Sequence, residues 1–154
     1  MKASERGNCL MDEIVRMLCD ELLYLKHEIE NDSIVLSVSS KNKSSKCPYC
    51  SHISNKVHSR YTRKLQDLPI QGKKVKLHIN RKKYFCVNKE CSKRTFAEKF
   101  NFFDERERNT KRLQKEILQL SLTQSSISAS RYLKASVADV GKSTICNLLK
   151  KGHE

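Results

Sequence analysis

Two short cysteine pairs decide how this chain is read: CPYC, from Cys47 to Cys50, and CVNKEC, from Cys86 to Cys91, with 35 residues between Cys50 and Cys86. A tight turn between neighbouring cysteines points two thiolates at one ion, and two such turns complete a tetrahedral shell with Zn–S bonds of about 2.3 Å. The intervening length accommodates a β-hairpin that returns the second turn over the first, which is the plan of a zinc ribbon. A disulfide framework would need an oxidising compartment, of which the sequence gives no sign, and a thioredoxin-like CxxC has no use for a second pair. His52, His58 and His78 could each replace a ligand, but four thiolates suffice, and the histidines read as polar or strand-face residues. Cys47, Cys50, Cys86 and Cys91 therefore form the expected metal set. Four thiolates close the shell, so the ion is one structural Zn²⁺ with no position for a reactive water. Cys9, Cys19 and Cys146 fall on helical patterns and read as small core residues.

Between the pairs, strand character over Val57–Leu65 leads into LPIQGKK, where Pro69 and Gly72 punctuate a turn. Val75, Leu77 and Ile79 then alternate with Lys74, Lys76, His78 and Asn80, giving one apolar and one basic face that run on to Cys86. Upstream, Leu10, Ile14, Met17 and Leu18 have helical spacing over residues 10–20. Leu23, Leu25, His27 and Ile29 alternate towards an Asn31-Asp32 turn, and the strand character resumes at Ile34–Val38, so a hairpin is expected. SSKNKSSK at 39–46 reads as a solvated connection. Downstream, Asp104 and Glu107 have capping-box spacing for a helix over 105–121 carrying Leu113, Ile117 and Leu120. A second helix fits 126–134, capped by Ser125 or Ser126, with Ile127, Ala129, Tyr132 and Leu133 inward. A third fits 143–151, capped by Ser143, with Ile145, Leu148 and Leu149 inward. The expected fold is α+β in three domains: a helix and β-hairpin at 1–40, a four-cysteine zinc ribbon at 41–103, and a small three-helix unit at 104–154.

The chain has 154 residues, of which 38% are apolar and none is Trp, too little core for a large enzyme. Zinc binding, of the order of 10–16 kcal/mol, would supply folding free energy that the core lacks. No run approaches the roughly 18 apolar residues of a membrane span, and the N-terminus lacks a signal-peptide plan, so a cytoplasmic protein without membrane contact is expected.

The net charge of +14 is concentrated: residues 41–99 hold 17 basic and 3 acidic residues, and the rest of the chain cancels. Such concentration favours a polyanion, because neutralising phosphates releases condensed counterions. Arg60, Arg63, Lys64, Lys73, Lys74, Lys76, Arg81, Lys82 and Lys83 flank or line the hairpin, with Tyr61, Tyr84 and Phe85 among them. Asp67 is the only acid between Lys56 and Lys83. The two last helices, joined by SVADVG, have helix-turn-helix dimensions, and the second would present Lys142, Ser143, Thr144, Asn147, Lys150 and Lys151 to bases or phosphates. Gly141-Lys142-Ser143 ends like a Walker A loop, but Ser136 stands where its first glycine belongs and no apolar strand precedes it, which excludes nucleotide binding. No Ser-His-Asp set or HExxH motif can be assembled.

CPYC, VHSRYTRKLQDLPIQGKKVKLHINRKKYFC, CVNKEC, the following RTFAEKF and the upstream SKNKSSK together resemble the N-terminal region of bacterial insertion-sequence transposases of the IS-L-three family. In that family a four-cysteine zinc ribbon precedes a helix-turn-helix and a large DDE-type catalytic domain. The resemblance implies that the four cysteines above are the zinc ligands and that residues 126–151, including KSTICNLLKK, are DNA-binding helices. It further implies double-stranded DNA, at terminal inverted repeats, as partner, with full-length transposase as a second. Ser51 departs from the glycine common after the first pair. The sequence stops at Glu154, ahead of any DDE domain, so no catalytic residue carries over and the expectation is a truncated or separately encoded DNA-binding front, not an enzyme by itself. The alternative is a stand-alone zinc ribbon that binds RNA or protein as an adaptor or regulator.

Overall fold

The computed structural model describes residues 9–152. In chain order the elements are α1 (Cys9–Leu18), β1 (Leu22–Ile29), β2 (Ser33–Ser40), β3 (Ser45–Lys46), β4 (Ile53–Ser54), β5 (Val57–Ile70), β6 (Lys73–Phe85), β7 (Thr95–Ala97), α2 (Lys111–Ser121), α3 (Ser126–Ser136) and α4 (Lys142–Lys151). The main sheet has strand order β1-β2-β6-β5, with β7 also paired to β6, and β3 and β4 form a separate two-stranded sheet. The architecture is thus mixed α+β. By compactness the chain groups into two discontinuous units. A ribbon unit takes residues up to Lys26, Ser37–Arg63 and His78–Asn101; a helical unit takes His27–Leu36, Lys64–Leu77 and Phe102 onward. The long strands β1, β2, β5 and β6 contribute residues to both.

In the ribbon unit, Val15, Leu22, Val38, Ile79, Tyr84 and Phe96 are buried. Tyr84 and Phe96 are register partners across β6 and β7, and their rings stack at 5.8 Å. The β1 periodicity is present but faces the other way from the sequence expectation, and that of α1 is turned in part, with Ile14 and Leu18 half-buried. On α1 it is Val15 that is buried while Leu10 and Met17 are exposed, and on β1 it is Leu22 rather than Leu23 or Leu25. Because strand side chains alternate, a one-residue change of phase exposes the whole expected face. Cys19 and Cys146 are partly buried, and the side chain of Cys9 lies outside the described residues.

Arg81 corrects the basic stripe. It is 1% exposed, sharing the inward parity of Val75, Leu77 and Ile79. Its guanidinium Nη2 donates to the Glu98 carbonyl, and its Cζ lies 5.6 Å from the Tyr61 ring centroid and 5.9 Å from that of Phe100. The buried Glu98 carboxylate accepts from Ser40 Oγ and, at 2.9 Å, from the Lys82 backbone N–H. A buried charge is retained only with such partners, so Arg81 serves the fold and does not reach a phosphate.

The helical unit encloses Leu113, Ile117, Ala129, Leu133, Ala138, Val140, Ile145 and Leu148, with Leu68 of β5 packed against them. Helix α2 starts at 111 and not at 105. Thr110 is its N-cap, accepting from the Leu113 N–H at 3.4 Å, whereas Asp104 and Glu107 close a backbone turn. The cap is fixed by Asp67, the one acid of the basic stretch. Its Oδ1 accepts from Thr110 Oγ1 at 2.7 Å and Arg112 Nε at 2.8 Å, and Arg112 Nη2 reaches Oδ2. Ser125 caps α3 through the Ser128 N–H at 3.2 Å. Ile127 and Tyr132 are exposed, and the inward face is Ala129, Ser130 and Leu133. Helix α4 has Gly141 as N-cap with no side-chain bond, so Ser143 is not the cap, and it lies exposed.

Replacing Asp67 by Ala removes a bidentate partner and a cap in one step. In urea unfolding of the metal-loaded chain it should cost about 2–3 kcal/mol, less than a fully buried pair because Arg112 can still be solvated. An unchanged midpoint would contradict this role.

Candidate metal centre

Each cysteine pair sits on a turn closed by backbone hydrogen bonds. The first turn leaves the β3–β4 pair, where Lys46 faces Ile53. The Cys47 N–H donates to the His52 carbonyl at 2.8 Å and the Ser51 N–H to the Cys47 carbonyl at 2.9 Å. Closing so short a turn puts Ser51 at φ 67, a left-handed conformation natural to glycine. The second turn leaves β6. The Cys86 N–H donates to the Arg94 carbonyl at 2.8 Å and the Cys91 N–H to the Asn88 carbonyl at 3.2 Å, and Asn88 Oδ1 accepts from the Glu90 N–H at 3.0 Å. Pairing of β6 with β7 anchors the far side.

The four sulfurs all lie within 4.8 Å of one another. Cys47 Sγ is 3.9 Å from Cys91 Sγ, and Cys50 Sγ is 3.5 Å from Cys86 Sγ. A tetrahedron with bonds of about 2.3 Å has edges of about 3.8 Å, so the separations fit one ion bound by four thiolates. Among the described residues this is the one metal-ligating cluster of three or more groups. His52 turns its Nδ1 to the Cys50 carbonyl at 3.2 Å, and His58 packs edge-on to Phe85 at 4.8 Å. Cys47 is buried with Tyr84 and Phe96, and the other three cysteines pack against them. The Lys93 N–H points at Cys91 Sγ at 3.5 Å, the kind of donor that supports a thiolate. A hydrogen bond from the His52 backbone lowers the Cys50 thiol to about 6, while burial pushes that of Cys86 up to about 12. Cys50 is thus the readier of these two to lose its proton, and a cation bound by both would displace that of Cys86.

The candidate DNA contacts divide between the two units. Arg60, Arg63, Arg81, Lys82 and Lys83 belong to the ribbon unit; Lys64, Lys73, Lys74, Lys76 and all of α4 belong to the helical unit. Several have intramolecular partners. Lys82 Nζ donates to the Asn42 carbonyl, Lys73 Nζ to that of Asn31 at 2.7 Å, Lys74 pairs with Asp139 at 3.2 Å, and Lys76 with Glu30 at 3.3 Å. Arg60, Lys64, Lys142, Ser143, Asn147, Lys150 and Lys151 are exposed. Thr144, Asn147, Lys150 and Lys151 line a cleft of about 410 Å³ that Arg106 and Glu107 complete, with Glu107 paired to Lys151. Arg106 was not legible as a neighbour of α4, since the only spacing in its run DERERN is the capping box of Asp104 and Glu107.

Residues 43–91 match the family model described as the zinc-finger of transposase IS204/IS1001/IS1096/IS1165, and the match contains all four cysteines and ends on the last. No curated protein and no solved structure matches the chain. Residues 43–91 are thus a transposase-type zinc-finger domain with four cysteines positioned for a metal. Among the described residues no helix is long and apolar enough to cross a membrane.

The Ser51 conformation gives a direct test of the first turn. Ser51→Gly should raise the unfolding free energy of the metal-loaded chain by about 0.5–1 kcal/mol, and Ser51→Val should lower it, because a branched side chain is strained at positive φ. Denaturant titration measures both, and a destabilised glycine variant would contradict the turn geometry.

Proposed function

We propose that this chain is the zinc-dependent DNA-binding portion of an insertion-sequence transposase, recognising double-stranded terminal inverted repeats. The observation that carries the proposal is the match of residues 43–91 to a transposase zinc-finger together with four sulfurs at tetrahedral spacing. Zinc is the ion that four thiolates in a closed tetrahedral set select. Supporting the DNA partner are the excess of 17 basic over 3 acidic residues at 41–99 and the form of the helical unit. There α3 and α4 are joined through Val137–Gly141 and pack together, as in a helix-turn-helix. In this arrangement α4 is the recognition helix: Lys142, Ser143, Thr144 and Asn147 face bases, and Lys150 and Lys151 face phosphates, as do Arg60 and Lys64. The proposal gives these residues binding and no strand-transfer chemistry. A full-length transposase that occupies the same DNA ends is a second partner.

Selection from a random-sequence duplex pool, followed by affinity measurement over a range of salt, tests this. The metal-loaded chain should enrich a defined duplex, with log affinity falling against log salt at a slope of about −3 to −4, as for about four phosphate contacts. Absence of enrichment, a shallow slope, or tighter binding to structured RNA than to the selected duplex would overturn it in favour of an adaptor.

A further inference from the structure

Gln66 makes an unusual set of bonds for a strand residue. In the backbone, its N–H donates to the Arg108 carbonyl at 2.7 Å and its carbonyl accepts from the Thr110 N–H at 3.0 Å. Its side-chain Nε2 donates to Asn109 Oδ1 at 3.0 Å and to the Asp139 carbonyl at 3.2 Å, and its Oε1 accepts from the Asp139 N–H at 2.7 Å. One carboxamide thus pairs in both senses with the backbone N–H and C=O of Asp139, in the middle of the five-residue connection between α3 and α4. The same connection is held from within the helices by burial of Ala138 and Val140 and by Ser130 Oγ donating to the Val140 carbonyl at 2.8 Å. The bonds of Gln66 tie it in addition to β5, two residues from the exposed Lys64. The neighbouring Asp67 grips the start of α2, so consecutive β5 residues hold two different ends of the helical bundle.

We infer that Gln66 is a positioning residue for DNA recognition, holding the connection before α4 so that the helix and Lys64 meet one duplex in a fixed relation. This rests on the DNA-binding function proposed above. Two contacts held rigidly act at high effective concentration on the second, and a loosened link forfeits that advantage only where both must be in register. Specific binding should therefore suffer while electrostatic, sequence-independent binding does not.

The test uses the full metal-loaded chain and two probes, the duplex pool enriched by the wild-type protein and the unselected pool. Gln66→Leu, close in size but unable to pair with Asp139, should lose about tenfold in affinity for the enriched pool, the scale expected for two neutral hydrogen bonds. It should keep its affinity for the unselected pool, its salt slope and its zinc, while the Asp139 amide exchanges faster with solvent. Asp139→Ala, which retains the backbone groups that Gln66 holds, should bind the enriched pool more tightly than Gln66→Leu does. Equal losses on both pools, or unchanged discrimination, would overturn the positioning role. A wild-type chain that enriches no sequence would instead overturn the underlying function, a result distinguishable before any variant is made.

Discussion

Four cysteine sulfurs within 4.8 Å of one another cannot all be thiolates without a cation among them, and that electrostatic constraint governs the ribbon unit. The two turns lie 35 residues apart in sequence, and among the described residues Cys47 is buried in one small cluster with Tyr84 and Phe96, against which the other three cysteines pack. Metal binding there would add to the stability of the ribbon directly, because the free energy of ligation becomes free energy of folding. The β6–β7 pairing and the short β3–β4 pair serve chiefly to aim the sulfurs.

The helical unit has an apolar core of eight buried residues against which Leu68 of β5 packs, and polar contacts add to that attachment, through Gln66 to the α3–α4 connection and through Asp67 to Thr110 and Arg112. Asp67 stood out in the sequence as the one acid in a basic stretch. Its buried bidentate pairing supplies the reason: a carboxylate there is a structural counter-charge to Arg112, while Lys74 and Lys76 pair with Asp139 and Glu30 instead.

The metal site was legible because a CxxC pair and a second pair at ribbon spacing have few other uses, and the fold class followed from it. Helices α3 and α4 were legible to within about two residues from their periodic Leu, Ile and Ala positions. The start of α2 was not. Asp104 and Glu107 have the right local chemistry for a cap, yet Thr110 won because Asp67, distant in sequence, holds it. The exposed face of β1 and α1 was likewise opaque, since alternation fixes a period and leaves open which phase meets the core. Arg81 could have been assigned inward from its parity with Ile79; its charge argued the other way, and only the Glu98 partner, reached through β7, decides the matter. Arg106 and Gln66 were not legible in this way, as their contacts are made across long sequence separations.

The central claim is that one zinc ion held by these four sulfurs organises residues 43–91. X-ray absorption at the zinc K-edge of the purified chain measures it most directly. One zinc per chain with four sulfur neighbours at about 2.3 Å is the predicted result. A first shell containing nitrogen or oxygen, or a folded chain with the four cysteines paired as disulfides and no bound metal, would contradict it.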